Sequence, residues 1–176
     1  MSQLDSYIAI EGPIGVGKTS LAEMIAEKLN ARKVFEDFKG NPFLEEFYED
    51  PDSNALQTQV WFLLQRYQQQ QKEIKQLNAF QKGVITDYMF EKDRLFAEFT
   101  LRSQAEFELY SSVADILEKD IIKPDMVVYL QADTSRLMKN IKQRGRDFEK
   151  GVTTEYINQV NEKLSLIHIS EPTRLR

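Results

Sequence analysis

Residues Gly12-Pro13-Ile14-Gly15-Val16-Gly17-Lys18-Thr19 fit the pattern G-x-x-x-x-G-K-[ST]. That spacing serves the grip of a polyphosphate. Glycines let the backbone curl until successive N–H groups point inward at phosphate oxygens. A lysine after the last glycine reaches the β- and γ-phosphates, and the next hydroxyl ligates Mg²⁺. Lys18 and Thr19 hold those two places, and Ser20 closes the cradle. The stretch Gly12–Ser20 therefore predicts a bound nucleoside triphosphate with Mg²⁺. Two acids, Glu36 and Asp87, each follow a short apolar run. A carboxylate near a phosphate cradle can accept a proton or hold a metal.

The surrounding pattern must bring these groups together. Tyr7-Ile8-Ala9-Ile10 reads as a buried strand, and Leu21, Met24, Ile25 and Leu29 predict a helix over Lys18–Leu29. The start of that helix adds the positive end of its dipole to the cradle. Lys33–Glu36 reads as a second strand, and Asn41-Pro42 opens a turn or helix. Neither Gly nor Pro interrupts Asn54 to about Leu77, where Leu56, Val60, Leu63, Leu64 and Tyr67 predict a long helix. Gly83–Asp87 reads as a third strand, followed by helix to about Lys119. Pro124–Leu130 is a fourth strand, with helices over Thr134–Gln143 and Thr154–Lys163. Strands alternating with helices mean an α/β fold with a parallel sheet and right-handed crossovers. Sites in such sheets lie at the carboxyl ends of the strands. The glycine loop, Glu36 and Asp87 all fall there.

Bulk properties narrow the class. The 176 residues suit one domain, and 41% hydrophobic with 29% charged residues is ordinary for a globular protein. The absence of cysteine excludes disulfides and thiolate chemistry and makes a cytoplasmic setting the expectation. A net charge of −5 argues against nucleic acid as the main partner, and no apolar run approaches a membrane span.

The last thirteen residues, Leu164–Arg176, lack the amphipathic pattern of the helix before them. Leu164 through Arg174 resembles the translation of a common transposon sequencing adapter. The expectation is a domain over residues 1–163 and a non-native tail over 164–176. His168, the only histidine, lies in that tail, so no histidine catalysis is expected. The tail carries a net +1 from two Arg and one Glu, which leaves −6 for the rest.

Over Tyr7–Lys163 the chain resembles the deoxynucleoside kinases of the bacterial deoxyadenosine/deoxyguanosine type. The resemblance rests on an ordered set: GPIGVGKTS, FEDFKGNPFLEEFYEDP, the Gln59…Arg66 helix, TDYMFEKDRLFA and IKQRGRDFEKG. It implies the three-layer P-loop NTPase fold and transfer of the γ-phosphoryl of ATP to the 5′-hydroxyl of a deoxynucleoside. It makes Glu36 the general base and Tyr48 the partner of the sugar 3′-hydroxyl. Gln59 and Arg66, seven apart and so on one helix face, would read the nucleobase, with Trp61 and Phe62 as possible walls. Asp87 would hold Mg²⁺ with Thr19. Arg144 and Arg146, either side of Gly145, would close as a lid, and Glu149 would contact the sugar. Two positions depart from the pattern. Asp87 is followed by Tyr88 and Met89 rather than an arginine, which leaves Lys92 or Arg94 to serve. Asn140 stands where a third lid arginine often lies, with Lys139 and Lys142 near. Relatives are dimers, and the helices Asn54–Leu77 and Phe96–Lys119 offer an interface.

Two other readings compete. A regulatory P-loop protein would bind nucleotide without an acceptor, but the Asn-Lys-x-Asp motif of GTPases is absent. The family also continues with a strand and an adenine-binding loop beyond Lys163. Their loss would leave an inactive, poorly soluble fragment.

Overall fold

The computed structural model describes residues 6–75 and 83–170. Four parallel strands, β1 (Tyr7–Glu11), β2 (Arg32–Val34), β3 (Val84–Thr86) and β4 (Met126–Tyr129), lie in the order β2-β3-β1-β4. Ile8 sits opposite Ile85 on one side and Met126 on the other. β1 is buried along its whole length, as an apolar run with neighbours on both edges must be. β4 forms one edge of the sheet, and Met126 on it is 48% exposed.

Each sheet face is covered by helix. α1 (Lys18–Leu29) lays Ala22 and Ala26 on Ile8, Ile10 and Ile85. On the other face Tyr7, Ala9, Val34 and Val84 pack with Tyr88 and Ile74. A second, helical core joins α2 (Leu44–Glu49), α3 (Ala55–Gln69), α4 (Lys92–Thr100) and α5 (Gln104–Leu117) around Phe47, Leu63, Phe90 and Tyr110. α6 (Thr134–Arg144) and α7 (Thr154–Ser170) close a third around Leu137, Ile141 and Ile157, against Ile14 and Val16 of the glycine loop.

Three expected elements change on inspection. The predicted strand Lys33–Glu36 ends at Val34, so Glu36 lies beyond the sheet. The helix from Asn54 passes after Gln69 into a π turn, Gln70–Ile74. There the buried Gln70 side chain donates to Ile122 O and accepts from Ile122 N. The expected end at Leu77 lies outside the described residues. The long helix expected to Lys119 is two helices, because Leu101 and Ser103 adopt extended backbone angles. At the other end of the chain, the helix expected over Thr154–Lys163 runs on to Ser170 as α7.

Candidate active site

The glycine loop joins β1 to α1 at the carboxyl end of the sheet. Gly12, Gly15 and Gly17 have φ of +150°, +83° and +104°, values at which a side chain is strained. A Cβ on Gly12 would also sit 2.5 Å from Leu130 O. α1 opens on Lys18 directly after Gly17, with no acid in its first turn to compete for the free N–H groups. Lys18 Nζ donates to the carbonyls of Gly12 and Pro13 at 2.8 and 3.1 Å. Burial, then the nearby Lys92 charge, push the Lys18 ammonium down to about 8.

One cavity opens from Ile14, Gly15, Lys18 and Thr19 across to α2, α3, α4 and the α6–α7 loop. Glu36 and Asp87 line it together. Asp87 Oδ2 accepts from Thr19 Oγ1 at 2.5 Å, and its Oδ1 accepts from the Glu36 backbone N–H at 2.8 Å. One carboxylate thus ties the loop after β3 to the P-loop and to the segment after β2. Burial raises the pKa of Asp87 against those two hydrogen bonds.

α3 enters with Gln59 and Arg66 on the same buried face, as seven-residue spacing demands. Phe62 lines the cavity. Trp61 instead packs on Gly40 and edge-on to Phe62, and Gln57 is exposed. The guanidinium of Arg66 is spent on two acids: Nη2 on Glu36 and Nη1 on Asp93. Its position beside Gln59 agrees with expectation, while its two partners were not foreseen. Burial alone would raise Glu36, but Arg66, Lys92 and Lys18 together hold its carboxyl below the usual range. Glu36 is therefore ionised at neutral pH. Asp93 was missed by the sequence reading; burial pushes it up to about 6 despite Arg66.

Tyr48 lines the cavity from α2 and packs edge-on with Tyr156. Burial raises its hydroxyl well above the ordinary value, so it stays a donor. Behind it, Gly151 approaches so closely that a Cβ would lie 2.6 Å from Tyr48 O. Gly151→Ala must push Tyr48 or the α6–α7 loop aside, an overpacking cost of about 1–3 kcal/mol. The expected result is a KM for the acceptor raised by roughly tenfold with kcat less affected, checked by steady-state kinetics.

The α6–α7 loop supplies the last wall. α6 ends at Gly145 (φ +62°), the left-handed cap that turns the chain back. Arg144 grips Glu149 with Nε at 3.1 Å and Nη2 at 2.5 Å. Arg146 lies 3.6 Å from the same carboxylate and stacks 3.8 Å over the Phe38 ring. Two arginines and a buried acid therefore face the P-loop lysine across the cavity. Asn140 donates to Gly15 O at 2.8 Å, which ties α6 to the P-loop. Lys139 and Lys142 are exposed and line nothing of the cavity.

The sequence matches the deoxynucleoside kinase family over residues 8–173. A deoxyguanosine kinase of Bacillus subtilis (strain 168) is 37% identical over 154 residues, spanning 88% of this chain and 74% of that protein. The chain belongs to the deoxynucleoside kinase family. A deoxyadenosine kinase of Dictyostelium discoideum is 33% identical over 159 residues, spanning 88% of this chain and 63% of that protein. The structure of deoxyadenosine kinase from M. mycoides with bound dATP superposes with a TM-score of 0.81 at 25% identity, covering 93% of this chain and 84% of that one. The protein is thus a phosphotransferase of P-loop fold.

For a deoxynucleoside kinase the state of Lys18 has a measurable consequence. Phosphate binding needs its charged form, and the free ammonium loses its proton above about 8. Affinity for a nucleoside triphosphate is expected to be flat below that pH. Above it, Kd should rise by up to about tenfold per pH unit, because binding must take up a proton. Calorimetric titration across that range checks this, and Lys18→Arg should remove the step.

Among the described residues no helix is long and apolar enough to cross a membrane.

Proposed function

We propose that the protein transfers the γ-phosphoryl group of ATP to the 5′-hydroxyl of a purine deoxynucleoside, with Mg²⁺. The observation that carries this reading is the meeting of Lys18, Thr19, Asp87 and the ionised Glu36 in one cavity. The 5′-oxygen forms a bond to phosphorus while the bond to the β-phosphate oxygen breaks. Its proton passes to Glu36, and the electron pair of the broken bond leaves with ADP. Glu36 is a weak base, which suits a loose transition state in which the hydroxyl loses its proton late.

The residues Gly12–Ser20 receive the phosphates, with Arg144 and Arg146 closing over them as charge develops. Thr19 and Asp87 offer a hydroxyl and a carboxylate side by side, hard oxygen donors of the kind Mg²⁺ takes together with phosphates and water. Mg²⁺ bound there supplies charge to the phosphoryl oxygens. On the acceptor side, Tyr48 and Glu149 hold the sugar, and Gln59 offers a donor and an acceptor to a base edge. Arg66 stands beside that edge with Asp93. The purine preference draws on the names of the two relatives, a deoxyguanosine kinase and a deoxyadenosine kinase. Leu64, Leu109 and Ile116 are exposed on α3 and α5, which supports a homodimer through those helices; sedimentation as a monomer would refute it. A cytoplasmic setting fits the cysteine-free composition.

A nucleotide-binding regulator would have no use for a carboxylate held ionised opposite a P-loop lysine. The test is ADP release from ATP with each of the four deoxynucleosides. Turnover highest with deoxyguanosine or deoxyadenosine supports the proposal. Turnover with none of them, despite ATP binding, overturns the acceptor assignment.

A further inference from the structure

One cation of the cavity takes no part in the reaction as proposed above. Lys92, at the first turn of α4, is 6% exposed and lines the cavity. Its Nζ lies 3.1 Å from Glu11 Oε1 and 5.1 Å from the centre of the Phe96 ring. Glu11 is the last residue of β1 and is 2% exposed. The same Oε1 accepts from the Gly12 N–H at 2.7 Å, while Oε2 has no hydrogen-bond partner. Lys92 is therefore moored to the first residue of the phosphate cradle.

The other cations of the cavity are accounted for. Arg66 serves Glu36 and Asp93, and Arg144 and Arg146 serve Glu149. Lys18 rests on backbone carbonyls. Arg94, the other basic residue after Asp87, turns away to Asp115 and Glu118. After burial, Lys92 is the strongest influence lowering the Lys18 ammonium, so the two like charges share one space. Two buried ammonium groups are costly side by side unless an anion comes between them. The phosphoryl group in transit from donor to acceptor is such an anion.

We propose that Lys92 is a further catalytic residue: its ammonium, moored by Glu11, meets the γ-phosphoryl oxygens during transfer and stabilises the charge they develop. Lys92 neither gains nor loses a proton; bond making, bond breaking and proton transfer are those given above, on which this assignment rests. A donor aimed at developing charge acts on kcat more than on substrate affinity.

The test uses Lys92→Met, Lys92→Arg and the double variant Lys92→Met/Glu11→Gln. The double variant leaves no uncompensated buried carboxylate, so it folds even if the single variant does not. Its kcat should fall by about 100-fold, the effect of deleting one preorganised donor. KM for ATP and Kd for ADP should change by less than about threefold, the signature of a contact made only in the transition state. Affinity for ADP with aluminium fluoride and deoxynucleoside, a mimic of the transferring group, should fall in parallel with kcat. Lys92→Arg should keep most of the activity. A double variant with kcat within about threefold of wild type would show a structural ion pair and overturn the proposal. So would equal losses of ADP and ADP–fluoride affinity. A wild-type protein with no phosphoryl transfer would instead refute the kinase reading itself, before any variant is compared.

Discussion

Glu36→Gln is expected to lower kcat by about 10²–10⁴-fold while ATP affinity and melting temperature stay near wild type. The amide has the shape of the carboxylate and its oxygen still accepts from Arg66 Nη2, so the fold keeps its contact. What disappears is the acceptor for the 5′ proton. Arg66 stays paired through Asp93, so no buried cation is left without a counter-charge. Steady-state kinetics beside nucleotide titration separates the two effects. A loss of less than about tenfold would remove Glu36 from the base role.

Arg66→Met is expected to cost about 3–5 kcal/mol of stability, the usual penalty for breaking a buried ion pair from one side. The guanidinium lies between two carboxylates, and among the described residues neither Glu36 nor Asp93 has another cation at salt-bridge distance. The loss should depend on pH. With Arg66 gone, burial raises the Asp93 carboxyl further above its unfolded value, so the folded state binds that proton more tightly than the unfolded chain. Stability is then fullest below the unfolded carboxylate range and falls as pH rises through the folded value. Urea unfolding should show a smaller deficit at pH 5 than at pH 8. Asp93→Asn added to Arg66→Met should recover part of it, since one of the two stranded charges is removed.

Much of this site is legible in the sequence because its parts are local. A glycine loop between an apolar strand and an amphipathic helix specifies its own geometry, so Gly12–Thr19 and α1 appear where spacing puts them. Strand-end acids in an alternating α/β pattern converge by topology alone, and Glu36 and Asp87 meet accordingly. Arg66 is different. Its helix face follows from periodicity, but its partners come from the loop after β2 and from α4, 30 and 27 residues away. No local pattern encodes such a pairing. Lys92 and Glu11 are 81 positions apart in sequence and pair only because β1 and α4 meet at the cradle.

The helix break after α4 did carry a signal. Ser103-Gln104-Ala105-Glu106 is a capping-box sequence, a helix start inside a stretch that neither Gly nor Pro interrupts. The structure starts α5 there, although the Ser103 side chain makes no cap hydrogen bond. The π turn at Gln70–Ile74 had no comparable signal, since the buried Gln70 answers to Ile122, 52 residues on.

The central claim is direct transfer from ATP to a 5′-hydroxyl at the Glu36 carboxylate. A single turnover with ATP labelled in its γ-phosphate, enzyme in excess and deoxyguanosine or deoxyadenosine present tests it most directly. The label is predicted to appear in the nucleoside 5′-monophosphate, with Glu36→Gln slowing its appearance and leaving bound ATP intact. Label released only as inorganic phosphate, or left on ATP by the wild-type protein, would contradict it.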